Sequence, residues 1–191
     1  MTNFKEVFNS VSEWNGKRYY RAYNSELLVN LLNEETNEYY EADSPVQVLD
    51  ALCDTAYVAF GGLWKMQVSD TVIESYFSQS SDMIINIVKS GPYPPIGYVR
   101  AFIDSLSSTD KVPPAFSCVS IIQTCMLQML EMLGTSELVF EAISAVCKSN
   151  DTKTIKKIVS SEKGYGPKGS YYVSPTAELT KILEKSSANH H

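Results

Sequence analysis

Ser44-Pro45-Val46-Gln47, set between two runs of apolar residues at helical spacing, constrains this chain more than any other feature. A serine suits the cap position before a helix. A proline suits the first helical residue, where the amide hydrogen it lacks would have no partner. A glutamine three residues after the cap can close a capping box. The helix so started continues through Val48, Leu49, Leu52, Tyr57, Val58 and Phe60 to about Met66. Before it, Leu27, Leu28, Leu31 and Leu32 form the apolar face of a helix expected over Ser25–Ala42. Only a few residues separate the two, so they should fold back as an antiparallel hairpin. Gly61-Gly62 would let another helix approach closely or bend the second one.

Helical patterns account for the rest. Phe4, Val7, Phe8 and Val11 mark a short amphipathic helix ending near Asn15–Gly16. Others run over about Ser69–Val88, Ile96–Leu106 and Ala115–Leu133, separated by Gly91-Pro92-Tyr93-Pro94-Pro95 and Val112-Pro113-Pro114. Gly134 reads as a C-cap and Thr135-Ser136 as a new N-cap, for a helix to about Lys148. Pro175 and Thr176 open a last short helix towards Leu183. Only Ser170–Val173 reads as a strand, so the expected class is all-α, a helical bundle in one domain.

With 44% hydrophobic and 20% charged residues the chain can bury a core. Its net charge of -6 argues against polymeric nucleic acid as a partner, which needs a basic face. A small anionic ligand stays open if metal ions stand between it and the acids. The start, MTNFKEVFNS, has no apolar run, and the apolar stretches Ala51–Met66 and Val119–Leu133 are interrupted by Asp54, Gln123, Gln128 and Glu131. A cytoplasmic protein without membrane contact is expected. Cys53, Cys118, Cys125 and Cys147 lie in apolar helical patterns and read as free buried thiols. His190 and His191 end a polar tail and are left out of the chemistry.

The acids are where chemistry can begin. Glu35 and Glu38 are i, i+3, and Glu34 and Glu38 are i, i+4, so they can converge on one cation. On the next helix Asp50 and Asp54 are i, i+4 in apolar company. Glu35 and Glu38 extend the line of Leu28 and Leu31, which predicts that both continue the buried stripe. Like charges converging in a bundle repel, and a hard divalent cation with oxygen ligands resolves that conflict. A solvated acidic helix face fits the same spacing.

LNEETNEYYEA followed by VLDALCDTAYVAFG resembles the MazG-like and phosphoribosyl-ATP-pyrophosphohydrolase-like nucleotide pyrophosphohydrolases, above all phage-encoded members. The matching positions are Glu34, Glu35, Glu38, Ala42, Asp50, Asp54, Tyr57 and Gly61. Ala51 departs from the family's ExxD, where Asp50 stands one residue early. LEMLGTSELVFEAISAVCKSNDTK resembles the family's SNxxK segment through Ser149, Asn150 and Lys153, and GPKGSYYVSP its KGxxYxxP tail through Lys168, Gly169, Tyr172 and Pro175. The resemblance covers roughly 25–66 and 127–180, which sets 67–126 apart as a helical insertion.

It implies a Mg²⁺-dependent enzyme, with Mn²⁺ as a substitute, that splits a (deoxy)nucleoside triphosphate into monophosphate and pyrophosphate. Glu35, Glu38, Asp50 and Asp54 would ligate the metal, and Glu34 would orient or deprotonate the attacking water. Asn150, Lys153 and Lys168 would grip phosphates or sugar, with Tyr171 or Tyr172 stacking on the base. A homo-oligomer, dimer or tetramer, goes with the resemblance. Two alternatives remain: another nucleotide substrate such as an alarmone, or a helical binding protein that has lost turnover, as the Ala51 departure and the insertion would suit.

Overall fold

The computed structural model describes residues 2–107, 112–153 and 170–189. Eight α-helices and one 3-10 turn account for most of them, and no strand occurs among the described residues. The helices are α1 (Thr2–Arg18), α2 (Ser25–Glu41), α3 (Pro45–Lys65), α4 (Asp70–Ser90), α5 (Val99–Ser107), α6 (Pro114–Leu133), α7 (Ser136–Asp151) and α8 (Thr176–Asn189). The 3-10 turn, Pro95–Tyr98, leads into α5. Ser170–Val173 is turn and coil, not the strand its composition suggests. The outer helices run longer than the sequence predicts: α1 passes Gly16 and α8 passes Leu183.

The bundle is built around α3, which packs against α1, α2, α6, α7 and α8. Leu49, Leu52, Cys53, Ala56, Ala59, Phe60 and Leu63 are fully buried, and that accounts for an apolar pattern wider than one stripe. α6 is its main partner and carries α4 and α5 on its other sides. α6 is also the one described helix long and apolar enough to cross a membrane, and most of that surface is covered inside the bundle. The stretch 67–126 thus supplies α4, α5 and much of this central helix. All four cysteines are free and buried.

Local signals act where the sequence places them, with two adjustments. Ser44 accepts from the Gln47 amide at 3.4 Å, but Gln47 Oε1 accepts from the Asp43 amide at 3.0 Å, so the box closes one residue early. Asn24 caps α2, its Oδ1 accepting from the Leu27 amide at 3.0 Å. Gly134 takes the left-handed conformation, φ 79°, and donates to the Leu130 carbonyl. At the end of α3 no glycine is available, and Gln67 adopts φ 59° instead.

Gly62 explains the close hairpin. A Cβ there would come within 2.9 Å of Leu28 Cδ2 and 3.2 Å of Cys118 Sγ. A bare α-carbon therefore lets α2 and α6 both approach α3, one of the two uses the glycine pair suggests.

Between α4 and α6 a neutral polar seam is buried. Gln123 is 8% exposed; its Nε2 donates to the Phe77 carbonyl at 2.8 Å and to Ser81 Oγ at 2.6 Å. Its Oε1 accepts from Ser80 Oγ.

Candidate functional site: an acidic cleft between α1, α2, α3 and the end of α7

Leu28 and Leu32 face the core from α2, and Glu35, two turns beyond Leu28, lies on the same line. At 100° per residue a seven-residue step comes back to almost the same face, so the carboxyl inherits a core position and is only 7% exposed. Glu38 lies on the parallel line through Leu31, which is only partly buried, and it is exposed, as is Glu34. The expectation that Glu35 and Glu38 both continue the buried stripe thus holds for Glu35 alone. On α3, Asp50 and Asp54 are half-buried, one turn apart.

The Glu35 carboxyl is pushed up to about 9. Burial is the largest cause, followed by the negative charges of Asp54, Glu38 and Glu34, while the Lys153 ammonium pulls it down. Without a cation this carboxyl holds its proton at neutral pH. Among the described residues no three Asp, Glu, His or Cys side chains stand close enough to form a ready metal site. Asp54, Glu38 and Glu34 act on Glu35 through their negative charge.

Glu35 and Asp54 line an open cleft. Trp14 and Asn15 of α1 and Tyr19, Tyr23 and Asn24 of the following connector form one wall. Leu28 and Leu31 stand on α2, and Tyr57, Val58, Gly61, Gly62 and Lys65 repeat along one face of α3. Asn150 and Lys153 close it from the end of α7.

Hydrogen bonds across the whole length of the chain hold that corner. Trp14 Nε1 donates to the Asn150 carbonyl at 2.7 Å. Arg18, 2% exposed, lies 4.5 Å over the Trp14 ring, and its Nη2 donates to the Lys153 carbonyl at 3.0 Å. Ser149 Oγ donates to the Val173 carbonyl at 2.7 Å, and Thr152 Oγ1 accepts from the Val173 amide at 2.9 Å. Ser149 and Asn150 thus tie the helix end to α1 on one side and to the returning chain on the other.

Of the residues singled out in the sequence, Glu35, Asp54, Asn150 and Lys153 share the cleft wall. Glu34, Glu38 and Asp50 lie outside its lining. Tyr171 is 87% exposed, and neither it nor Tyr172 lines the cleft, because the chain there is held against Ser149 and Thr152, away from the lining. Lys168 lies outside the described residues. The aromatic lining comes instead from Trp14, Tyr19, Tyr23 and Tyr57, and a second cation, Lys65, enters from α3. The readable signal was the run of aromatics between two helices, Tyr19-Tyr20 and Tyr23.

The donors suit a hard cation. Glu35, Glu38, Asp50 and Asp54 offer oxygen only, and burial pushes the nearby Cys53 and Cys147 thiols up, which keeps them protonated. A cation would also release the Glu35 proton and turn a neutral carboxyl into a ligand.

No curated protein and no solved structure matches the chain. The sequence model of the family described as phosphoribosyl-ATP pyrophosphohydrolase matches residues 1–80. That span holds α1, the aromatic connector and the hairpin with all five acids, and it stops short of Asn150 and Lys153. Over residues 1–80, and with them three walls of the cleft, the chain is similar to the phosphoribosyl-ATP pyrophosphohydrolase family.

Proposed function

We propose that the cleft binds a nucleoside triphosphate and hydrolyses it to the monophosphate and pyrophosphate with the help of Mg²⁺. One observation carries this reading: a buried carboxyl, Glu35, sits in the negative field of three other acids and faces the same cleft as Lys153. Such a cluster is costly in a bundle unless a cation answers it. A polyphosphate needs metal on one side and fixed donors on the other.

Glu35, Asp54, Asp50 and Glu38 are the residues that would hold Mg²⁺, which when bound neutralises phosphate charge and acidifies water. The chain's own groups do the rest. Lys153 donates to phosphate oxygens, with its backbone fixed by Arg18 and Asn150 beside it. Glu34, exposed one residue from Glu35, accepts a proton from the attacking water or orients it. The apolar middle of the cleft, Leu28, Leu31 and Val58, excludes solvent from the sugar.

The test is pyrophosphate release from the common ribo- and deoxyribonucleoside triphosphates with Mg²⁺, with Mn²⁺ and with chelator. The expected products are monophosphate and pyrophosphate, lost on chelation. Release of inorganic phosphate with a diphosphate product would reject the reading. A second reading, nucleotide binding without turnover, is favoured by the absence of a ready three-ligand cluster among the described residues. Mg²⁺-dependent affinity with no product would decide for it.

A further inference from the structure

The cleft is long as well as acidic, and its two ends differ. Asp54 and Lys65 stand on the same face of α3, and at 1.5 Å per residue they are about 16 Å apart along the axis. Glu35, Asp54 and Lys153 mark one end. Lys65, Tyr19, Tyr23, Asn15 and Asn24 mark the other. If phosphates occupy the acidic end, as the reading above has it, the base reaches the Lys65 end with the edge farthest from the sugar leading.

The polar groups at that end are unequal. Asn15 is committed, its Nδ2 donating to the Val11 carbonyl at 2.8 Å. Asn24 is committed as the cap of α2. The Lys65 ammonium lies 5.2 Å from the Tyr19 ring centroid, half-buried, and no carboxylate pairs with it among the described residues. The Tyr23 hydroxyl is buried with no hydrogen-bond partner among the described residues. Burial pulls the Lys65 ammonium down and pushes the Tyr23 phenol up, which marks the place as poorly hydrated. A buried donor left unmade is costly, so a ligand that satisfies it gains affinity.

We infer that Lys65, backed by the Tyr19 ring in a cleft that Tyr23 also lines, reads a carbonyl on the far edge of the base and so selects keto-bearing nucleotides. The reason is chemical. An ammonium has three donors and no acceptor. Thymine, uracil and guanine present a carbonyl at that edge, whereas cytosine and adenine present an amino group that only donates. A site built to donate to a substrate oxygen rejects the analogue that lacks it.

Initial rates of pyrophosphate release from dTTP, dUTP and dGTP are compared with those from dCTP and dATP, for the wild type, Lys65→Met, Lys65→Arg and Tyr23→Phe. The wild type should favour the keto set in kcat/KM by roughly ten- to hundredfold, the effect of one hydrogen bond to a charged group. Lys65→Met should bring the keto set down to the level of the amino set, and Lys65→Arg should keep the preference. Tyr23→Phe should narrow it by less than Lys65→Met does. Hydrolysis without base preference, or a preference that survives in Lys65→Met, overturns the inference and leaves the pyrophosphohydrolase reading intact. If no nucleotide is hydrolysed, that reading fails. Calorimetric titration of non-hydrolysable dTTP and dCTP analogues with Mg²⁺ then decides the inference by itself, and equal affinities overturn it.

Discussion

Two polar seams are buried in this bundle, and they solve the same problem in opposite ways. Between α4 and α6, Gln123 is neutral and each of its ends has a partner on the facing helix. Between α2 and α3, Glu35 is an acid beside acids, and burial together with Asp54, Glu38 and Glu34 keeps it protonated. The first seam is closed within the protein. The second is relieved by a proton held on Glu35, and it opens on a cleft. A satisfied buried group fixes the fold, whereas an unbalanced one asks for a ligand.

The sharpest break between the seams is turnover. Asp54→Asn and Glu38→Gln should each lower Mg²⁺-dependent pyrophosphate release by roughly a hundredfold or more, the scale of removing one electrostatic partner of a transition state, with the circular dichroism of the helices unchanged. Full activity in both variants would put the acidic seam in the same class as the neutral one. Next comes Lys153→Ala, which should weaken a non-hydrolysable nucleotide by roughly ten- to hundredfold. Mg²⁺ binding without nucleotide should stay the same, as read by calorimetry. A change in metal affinity instead would make Lys153 part of the acid cluster.

The neutral seam answers a different measurement. Gln123→Met keeps the volume and removes the hydrogen bonds to α4, so urea melts should show a loss of roughly 1–3 kcal/mol, while kcat stays at the wild-type value. A drop in kcat without a drop in stability would reverse the contrast.

The last effect is a pH slope. Glu35 in the folded, metal-free protein titrates at about 9, above its ordinary 4.5. Between those values the folded state holds a proton that the unfolded chain has released, so stability falls as pH rises. The contribution is complete below about 4.5 and is lost as pH passes about 9. Glu35→Gln should flatten this decline in thermal melts of chelated protein, and should reduce the stabilisation that Mg²⁺ gives. A steep loss of stability at pH 6 in this variant would make Glu35 a structural partner instead.

Much of the hairpin was legible because its signals are local. The cap at Ser44, the proline after it and the seven-residue step from Leu28 to Glu35 each act within two turns. Glu38 was misplaced because three residues carry it off the core line, a difference that spacing to Leu31 hides. The Lys65 end was invisible for another reason. Tyr19 and Tyr23 lie in a connector with no period to read, and a lysine closing an apolar helix reads as ordinary end chemistry. The left-handed Gln67 had no glycine to announce it. Asn150 and Lys153 were legible as candidates, but that they face Trp14 and Arg18 is a property of the tertiary fold.

The bonds that join Trp14 to Asn150 and Arg18 to Lys153 span 136 and 135 residues of chain. Contacts of that separation form after most loop entropy has been lost, so they come late in folding. During synthesis the acidic hairpin leaves the ribosome long before α7 does. The nascent chain therefore carries the acids of α2 and α3 well ahead of Lys153, and the cleft gains that wall only once the chain has been made through the end of α7.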